Sequence, residues 1–399
     1  MIDVKKHRLV KYPLFGTLYF SQGMIYALAT VIINIYLDKK GIDDPIIGLI
    51  IAIAYVPWVI KFVFGWIVDY FHKITRRNFI IFGGFLSAIS FMILSFIDPK
   101  VNLILFVCFV FIASCGIAFL DVSADAWAIE LSEEKERGKI NGAMFSGLFI
   151  GVAVTSIFMS SIADNYSYSF SFFISGLIVL AIIVFPLLVK DTSVRIIKDK
   201  IRKLLVNEFK KKNTQLVTFF FPFAGFSFGL LGIVLPQYME DEFLLSQSTI
   251  GWVMAIGSIA TVIGNVVGGF MADHWGRKNS IYVFIGLSLI FSASFVFAST
   301  LDILIIIWFI VGFMHGGNYS VVGALAMDIT NPRIGASQYS MLMAAGNAGE
   351  MSGAALSGTM ITFIGFTSTF LYSGWFYGPA LLISYYIKSS FKIVKKKKG

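Results

Sequence analysis

The sequence predicts an all-α polytopic membrane protein, with twelve transmembrane helices in two pseudo-symmetric six-helix bundles. Three observations carry that prediction. Only 14% of the 399 residues are charged while 57% are hydrophobic, against roughly 25% charged in soluble domains. So few charges cannot clothe the two or three domains a soluble chain of this length would form. Apolar runs of about 19 to 28 residues recur, each long enough to cross a hydrocarbon core. The basic residues between those runs fall almost entirely on alternate breaks.

The runs lie at 12–37, 46–71, 79–97, 103–130, 140–163, 169–189, 214–239, 248–272, 280–300, 303–329, 337–363 and 368–388. Unpaired backbone groups are excluded from hydrocarbon, and the runs are too long for barrel strands, so each is read as a helix. The first run is also too long for the apolar stretch of a cleavable signal. Cys108 and Cys115 stand seven residues apart on one predicted helix. That spacing is about 10.5 Å, beyond disulfide reach, and they read as buried apolar thiols.

Of the 32 Lys and Arg, Lys61 lies inside a run and Lys39, Lys40 and Lys100 fall on one side; the remaining 28 fall on the other. Positive charge marks the inner side, which predicts a multi-pass protein of the cell membrane with both termini cytoplasmic. The net charge of +9 is thereby topological. It fits a bilayer with an anionic inner leaflet and gives no reason to invoke nucleic acid. The longest break, 190–213, holds nine basic and three acidic residues. It divides the chain into a bundle at 1–189, a basic linker at 190–213, and a second bundle with a basic tail at 214–399. The linker's apolar spacing (Ile196, Ile197, Ile201, Leu204, Leu205) suits an amphipathic helix.

The halves resemble each other. Gly65 and Asp69 end the second run, and Gly269 and Asp273 end the eighth, 204 residues later. Glu130 and Asp328 close the fourth and tenth runs, and Arg137-Gly138 and Arg333/Gly335 open the fifth and eleventh. Two six-span halves in the same order imply a pseudo-two-fold axis along the membrane normal, with a central cavity.

Gly269-Phe-Met-Ala-Asp273-His-Trp-Gly276-Arg277-Lys278 resembles the loop signature of the major facilitator superfamily, Gly-x-x-x-Asp-x-x-Gly-Arg-Lys. The first-half copy keeps Gly65 and Asp69 but then runs His72-Lys-Ile-Thr-Arg76-Arg77. A narrower resemblance joins Tyr19-Phe-Ser-Gln22-Gly23, Pro57-Trp58-x-x-Lys61, Asp121-x-x-x-Asp125-Ala-Trp127 and Glu136-Arg137-Gly138 to the muropeptide permease and acetyl-CoA transporter group. Its members move bulky anionic metabolites, some with protons. The resemblance implies alternating access, and gating by Gly65, Asp69, Arg76, Arg77, Glu130, Gly269, Asp273, Gly276, Arg277 and Lys278. Each loop acid would cap a helix start in the opposite half and pair with the loop arginines.

Ionisable residues inside a membrane are costly, so function is their first reading. Lys61 lies eight residues before Asp69, about 12 Å in, and Asp121 lies nine before Glu130, about 13.5 Å in. The two are therefore level. Asp125 shares a face with Asp121, and Glu350 sits deep in the eleventh run. Lys61 and Asp121 read either as a structural salt bridge or as a coupling or substrate site with Asp125, Glu350 and His315. The superfamily resemblance brings Glu350 toward Lys61, implying an exchange of partners during the cycle. His315 reads equally as a proton shuttle or a neutral packing residue. Tyr19, Gln22 and Tyr26 on one helix, Asn347 on another, Asn265 at the repeat position of Lys61, and Asn318 within one position of that of Asp121 are expected to line a cavity.

No phosphate-cradling loop or metal-spaced Cys/His cluster is present, so no metal, cofactor or enzyme activity is expected. The expected function is proton-coupled secondary uptake of a bulky anionic or amphiphilic small molecule by a monomer. A proton-coupled drug or organic-cation antiporter is the alternative. Such antiporters of the superfamily carry Gly-Pro-x-x-Gly in the fifth span, and Asn141–Gly151 has no proline. A non-transporting membrane sensor would add a long tail or soluble loop, and the sequence shows neither.

Overall fold

The structure is a computed structural model that describes residues 8–190, 200–245 and 247–388. Helices dominate, and no β-strand occurs among the described residues. The first pass is α1 (Lys11–Ala27), a π-helical turn at Leu28–Ile32, and α2 (Ile33–Lys39). The second is α3 (Asp44–Val59) and α4 (Lys61–Tyr70). Then come α5 (Arg76–Leu94), α6 (Leu103–Leu131), α7 (Arg137–Asn165) and α8 (Tyr168–Leu188). The short α9 (Ile201–Phe209) precedes α10 (Lys212–Asp241), α11 (Gln247–His274), α12 (Arg277–Ala293) and α13 (Leu301–Ile329). The last described helices are α14 (Gly335–Trp375) and α15 (Tyr377–Tyr386).

Among the described residues, ten segments are long and apolar enough to cross a membrane. The last of them, Pro332–Tyr386, is 55 residues long and turns at Gly365 (φ 72°, ψ 171°), so it holds two passes. With the broken first pass, not one of the ten, the total is the expected twelve. The fold class therefore stands, as a multi-pass membrane protein.

Local chemistry sets the ends and breaks. Thr75, Ser167 and Thr300 accept hydrogen bonds from the first-turn N–H groups of α5, α8 and α13, replacing partners the helix itself lacks. Pro57 cannot donate to its preceding turn. Three residues later the helix breaks at Ile60 (φ −95°, ψ 18°) and restarts with Lys61 as the first residue of α4. The sequence had read this pass as one helix. Its linker helix is observed as α9 over 201–209, while Ile196 and Ile197 lie outside the described residues.

The chain forms two compact units. Unit 1 comprises 1–131, 147–205 and 331–341; unit 2 comprises 132–146, 206–330 and 342–399. The start of α14 thus belongs to unit 1 and the start of α7 to unit 2. In unit 1, Phe64, Val68, Phe79, Ala118, Val122 and Ala126 pack around Ala336. In unit 2, Phe226, Leu230, Trp308, Val311 and Phe370 belong to the corresponding core. The small residues Gly147 and Gly151 lie against the α1 backbone, and Gly349 and Gly353 against the α10 backbone, the close packing their spacing suggested. Cys108 is exposed and Cys115 half-buried on α6, correcting the expectation of buried thiols. Cys115 packs against the unit 1 core.

Candidate functional site

Each unit repeats one arrangement where a helix begins. In unit 1, Asp69 is wholly buried and accepts hydrogen bonds from the Ser337 backbone N–H and hydroxyl, each at 2.7 Å. In unit 2, Asp273 accepts from the backbone N–H groups of Gly138 and Lys139, each at 2.9 Å. Both carboxylates therefore sit at a helix N-terminus, α14 in one case and α7 in the other, where the helix dipole favours negative charge. Gly65 and Gly269 make the approach possible. A Cβ on Gly65 would press into the Ala336 carbonyl, and one on Gly269 into the Gly138 carbonyl.

Arginines complete both clusters. Arg76 lies 3.5 Å from Asp69, donates through Nε to Glu130, and reaches the Pro332 carbonyl at 3.0 Å. Arg277 pairs with Asp273 at 2.7 Å and Asp328 at 2.9 Å, and donates to the Glu134 carbonyl. Arg137 adds a pair to Asp328 at 3.0 Å. Gly276, at φ 87°, supplies a backbone conformation that favours glycine. Two of the expected gating residues fall elsewhere: Arg77 donates to the Val189 carbonyl at 3.0 Å and Lys278 to the Tyr385 carbonyl at 2.6 Å.

Deeper in unit 1 lies a buried charge cluster. Lys61 Nζ is 3.2 Å from Asp121 Oδ2. Asp125, one turn on, accepts a short hydrogen bond from the Tyr19 hydroxyl and feels the charges of Asp121 and Lys61. Lys61, Asp121, Asp125 and Tyr19 are each at most 4% exposed. Asp121 Oδ1, Asp125 Oδ2 and Gln22 Oε1 find no hydrogen-bond partner among the described residues. Two carboxylates thus face one ammonium. Tyr26 stands apart, 41% exposed and edge-on to Tyr55 at 5.7 Å.

Unit 2 holds a small cavity, of about 30 Å³, lined by Phe221, Asn318, Tyr319, Met343, Asn347 and Glu350, among others. Glu350 accepts a hydrogen bond from the Tyr319 hydroxyl, and Asn318 Oδ1 is buried without a partner among the described residues. His315 stacks on Phe228 at 3.3 Å between ring centres and meets Tyr319 at 4.7 Å. Asn265 is not in the cavity lining; its Oδ1 accepts from Ser320 at 3.0 Å.

The sequence reading missed three residues. Ser337 partners Asp69, Tyr319 partners Glu350, and Tyr339, fully buried, interacts electrostatically with Asp125 and Asp121. Tyr319 stands beside Asn318 and four residues after His315, a polar stripe that could have marked it. No group of three or more His, Cys, Asp or Glu suited to a metal occurs among the described residues.

The family model of the Major Facilitator Superfamily matches residues 15–223 and again 216–399. The AmpG 4 protein of Rickettsia conorii is 24% identical over 94% of this chain and 96% of its own length. The cis,cis-muconate transport protein of Acinetobacter baylyi is 24% identical over 53% of this chain and 54% of its own. The solved E. coli fucose:proton symporter FucP shares the fold at a TM-score of 0.77. It is 14% identical, with 95% of this chain and 100% of that one covered. The relatives that carry the AmpG name match the narrower group to which the sequence motifs pointed. The family match runs over both halves, and with it this chain belongs to the major facilitator superfamily, as a secondary transporter and not an enzyme.

Proposed function

We propose that this transporter couples the uptake of a bulky anionic or amphiphilic metabolite to protons, as a monomer in the cell membrane with both termini cytoplasmic. The observation that carries the reading is the unequal charge of the unit 1 cluster, in which two buried carboxylates stand one helical turn apart while Lys61 pairs with Asp121 and Asp125 is held by Tyr19. An uncompensated buried charge costs several kcal/mol. A proton on Asp125 balances the cluster while Lys61 holds Asp121. An anion that replaces Asp121 beside Lys61 makes room for a second proton, which links loading to protonation. The unit 2 cavity takes the uncharged part of the substrate, where Asn318, Asn347 and Glu350 accept or donate hydrogen bonds. The basic loops favour an anionic inner leaflet. The dicarboxylate in the name of the Acinetobacter relative is in keeping with an anionic substrate.

Gating is assigned to the Asp69 and Asp273 clusters, each of which ties a helix start to its unit. The Glu350 carboxylate in the unit 2 cavity favours a second reading, exchange of an organic cation for protons. Uptake of a panel of organic anions and cations into proteoliposomes, with and without a pH gradient, tests both. Anion accumulation that needs the gradient, and that Asp125→Asn abolishes, is expected. Gradient-driven exchange of cations alone would replace the first reading by the second.

A further inference from the structure

The two loop copies differ in length, and the gating pair does not use the difference. Asp273 and Arg277 are four residues apart, whereas Asp69 and Arg76 are seven apart. Both arginines nevertheless reach their acids, at 2.7 and 3.5 Å. The longer first-half loop carries His72, Lys73 and Ile74 in its extra length. Those three side chains, with Tyr70, Phe71, Lys200 and Ile201, line a surface groove of about 430 Å³.

The groove has two kinds of wall. Lys73 and Lys200 are exposed, and neither pairs with an acid among the described residues. The His72 ring meets the Tyr70 carbonyl through Nδ1 at 3.1 Å, which leaves its other nitrogen available. No acidic residue is in the lining. Tyr70, Phe71 and Ile74 are 55%, 50% and 42% exposed, large apolar surfaces immediately beyond the span that ends at Tyr70. Aromatic side chains at that level sit among lipid headgroups. Ile201 opens α9, whose flanks carry Lys200, Arg202, Lys203, Lys210 and Lys211. In the second half Lys278 is instead occupied, by the Tyr385 carbonyl at 2.6 Å and the Tyr385 ring at 5.3 Å.

We propose that the groove between the Tyr70–Ile74 loop and the start of α9 is a binding site for an anionic phospholipid of the adjoining leaflet. Lys73 and Lys200 bind the headgroup phosphate, and Phe71, Ile74 and Ile201 contact the glycerol and upper acyl region. A free phosphate compound would use the lysines but gain nothing from the apolar wall, and the membrane supplies lipid at this level at high local concentration. The lipid seats the linker's first helical turn against unit 1.

Native mass spectrometry of the full chain, stripped of lipid and then offered equal phosphatidylglycerol and phosphatidylcholine, tests the site. Preferential retention of phosphatidylglycerol is expected. Lys73→Gln/Lys200→Gln should weaken it about thirtyfold, or roughly fivefold per lysine. Lys203→Gln/Lys210→Gln removes the same charge outside the groove and should have a much smaller effect. Equal loss in the two double variants, or undiminished retention in the first, overturns the proposal. So does displacement of the lipid by millimolar glycerol 3-phosphate, which would make the site one for a soluble phosphate. Melting temperatures in phosphatidylcholine nanodiscs report folding; if the double variant fails there, Lys73→Gln alone carries the test at about fivefold.

Discussion

The polar centres of the two units differ in kind although their gates match. Unit 1 buries Lys61, Asp121 and Asp125 together. Unit 2 places Asn265 at the position equivalent to Lys61 and Asn318 within one position of that of Asp121, and sets the Glu350 carboxylate against a tyrosine. The helix-start clusters around Asp69 and Asp273, by contrast, repeat almost bond for bond. The repeat is preserved where both halves do the same task and lost where the tasks diverge. In our reading, most of the coupling charge lies in unit 1, and unit 2 contributes Glu350 together with shape and hydrogen bonds.

The sharpest break of that comparison comes from Lys61→Met, which strands Asp121 without its cation. Removing one partner of a buried pair typically costs 3–5 kcal/mol, whereas losing a neutral hydrogen bond costs about 1 kcal/mol. Thermal unfolding in detergent should therefore show a far larger loss for Lys61→Met than for Asn265→Leu. Adding Asp121→Leu to Lys61→Met should restore most of it. Equal losses at the two repeat positions would erase the distinction between the units.

Asp69→Asn and Asp273→Asn probe the part that is shared. Each weakens charge-assisted hydrogen bonds worth about 1.5–3 kcal/mol. Each should slow turnover roughly tenfold to hundredfold and leave substrate binding in place. Binding lost with turnover intact would reverse the gating assignment. Glu350→Gln is milder: exchange should persist while its pH dependence weakens severalfold, as read by counterflow between about pH 6 and 8, one unit either side of neutrality.

The smallest effect belongs to Lys40 and Asp98, an ion pair of unit 1 at 2.5 Å, outside the spans. The Lys40 hydrogen bond holds the Asp98 carboxyl below its usual range, and the same bond holds the Lys40 ammonium above its own. The Asp98 contribution is thus present above the unfolded value near pH 3.9 and fades as pH falls through the lower folded value. The Lys40 contribution is present below about pH 10.4 and is lost only as pH rises through its higher folded value. The melting-temperature gap between wild type and Asp98→Asn should be small, level from about pH 5 to 10, and closed in strong acid. A gap that widens below about pH 4 would contradict this.

Charged residues made most of the architecture legible. Asp69, Asp273, Arg76 and Arg277 stand out at the ends of apolar runs and in the short breaks between them, and counting turns from Asp69 and Glu130 placed Lys61 and Asp121 at one depth, where they pair. Ser337, Tyr319 and Tyr339 stayed hidden because serine and tyrosine are common in such runs, and what selects them is a neighbour distant in sequence. The break at Ile60 was foreshadowed by Pro57. Its place next to Lys61 depends on how the helix restarts, which periodicity does not encode. Arg77 and Lys278 look like their neighbours in the motif, yet they bond backbone carbonyls outside the acid clusters.

Gly365 joins the last two passes by a single residue at φ 72° and ψ 171°, a conformation essentially confined to glycine. A connection that short leaves no loop to be threaded after the first helix is in place. The two passes must enter the bilayer together as a preformed hairpin, so this position bears on biogenesis before it bears on transport. A side chain there would act during synthesis, lowering the amount of protein that reaches the membrane while the molecules that arrive work normally.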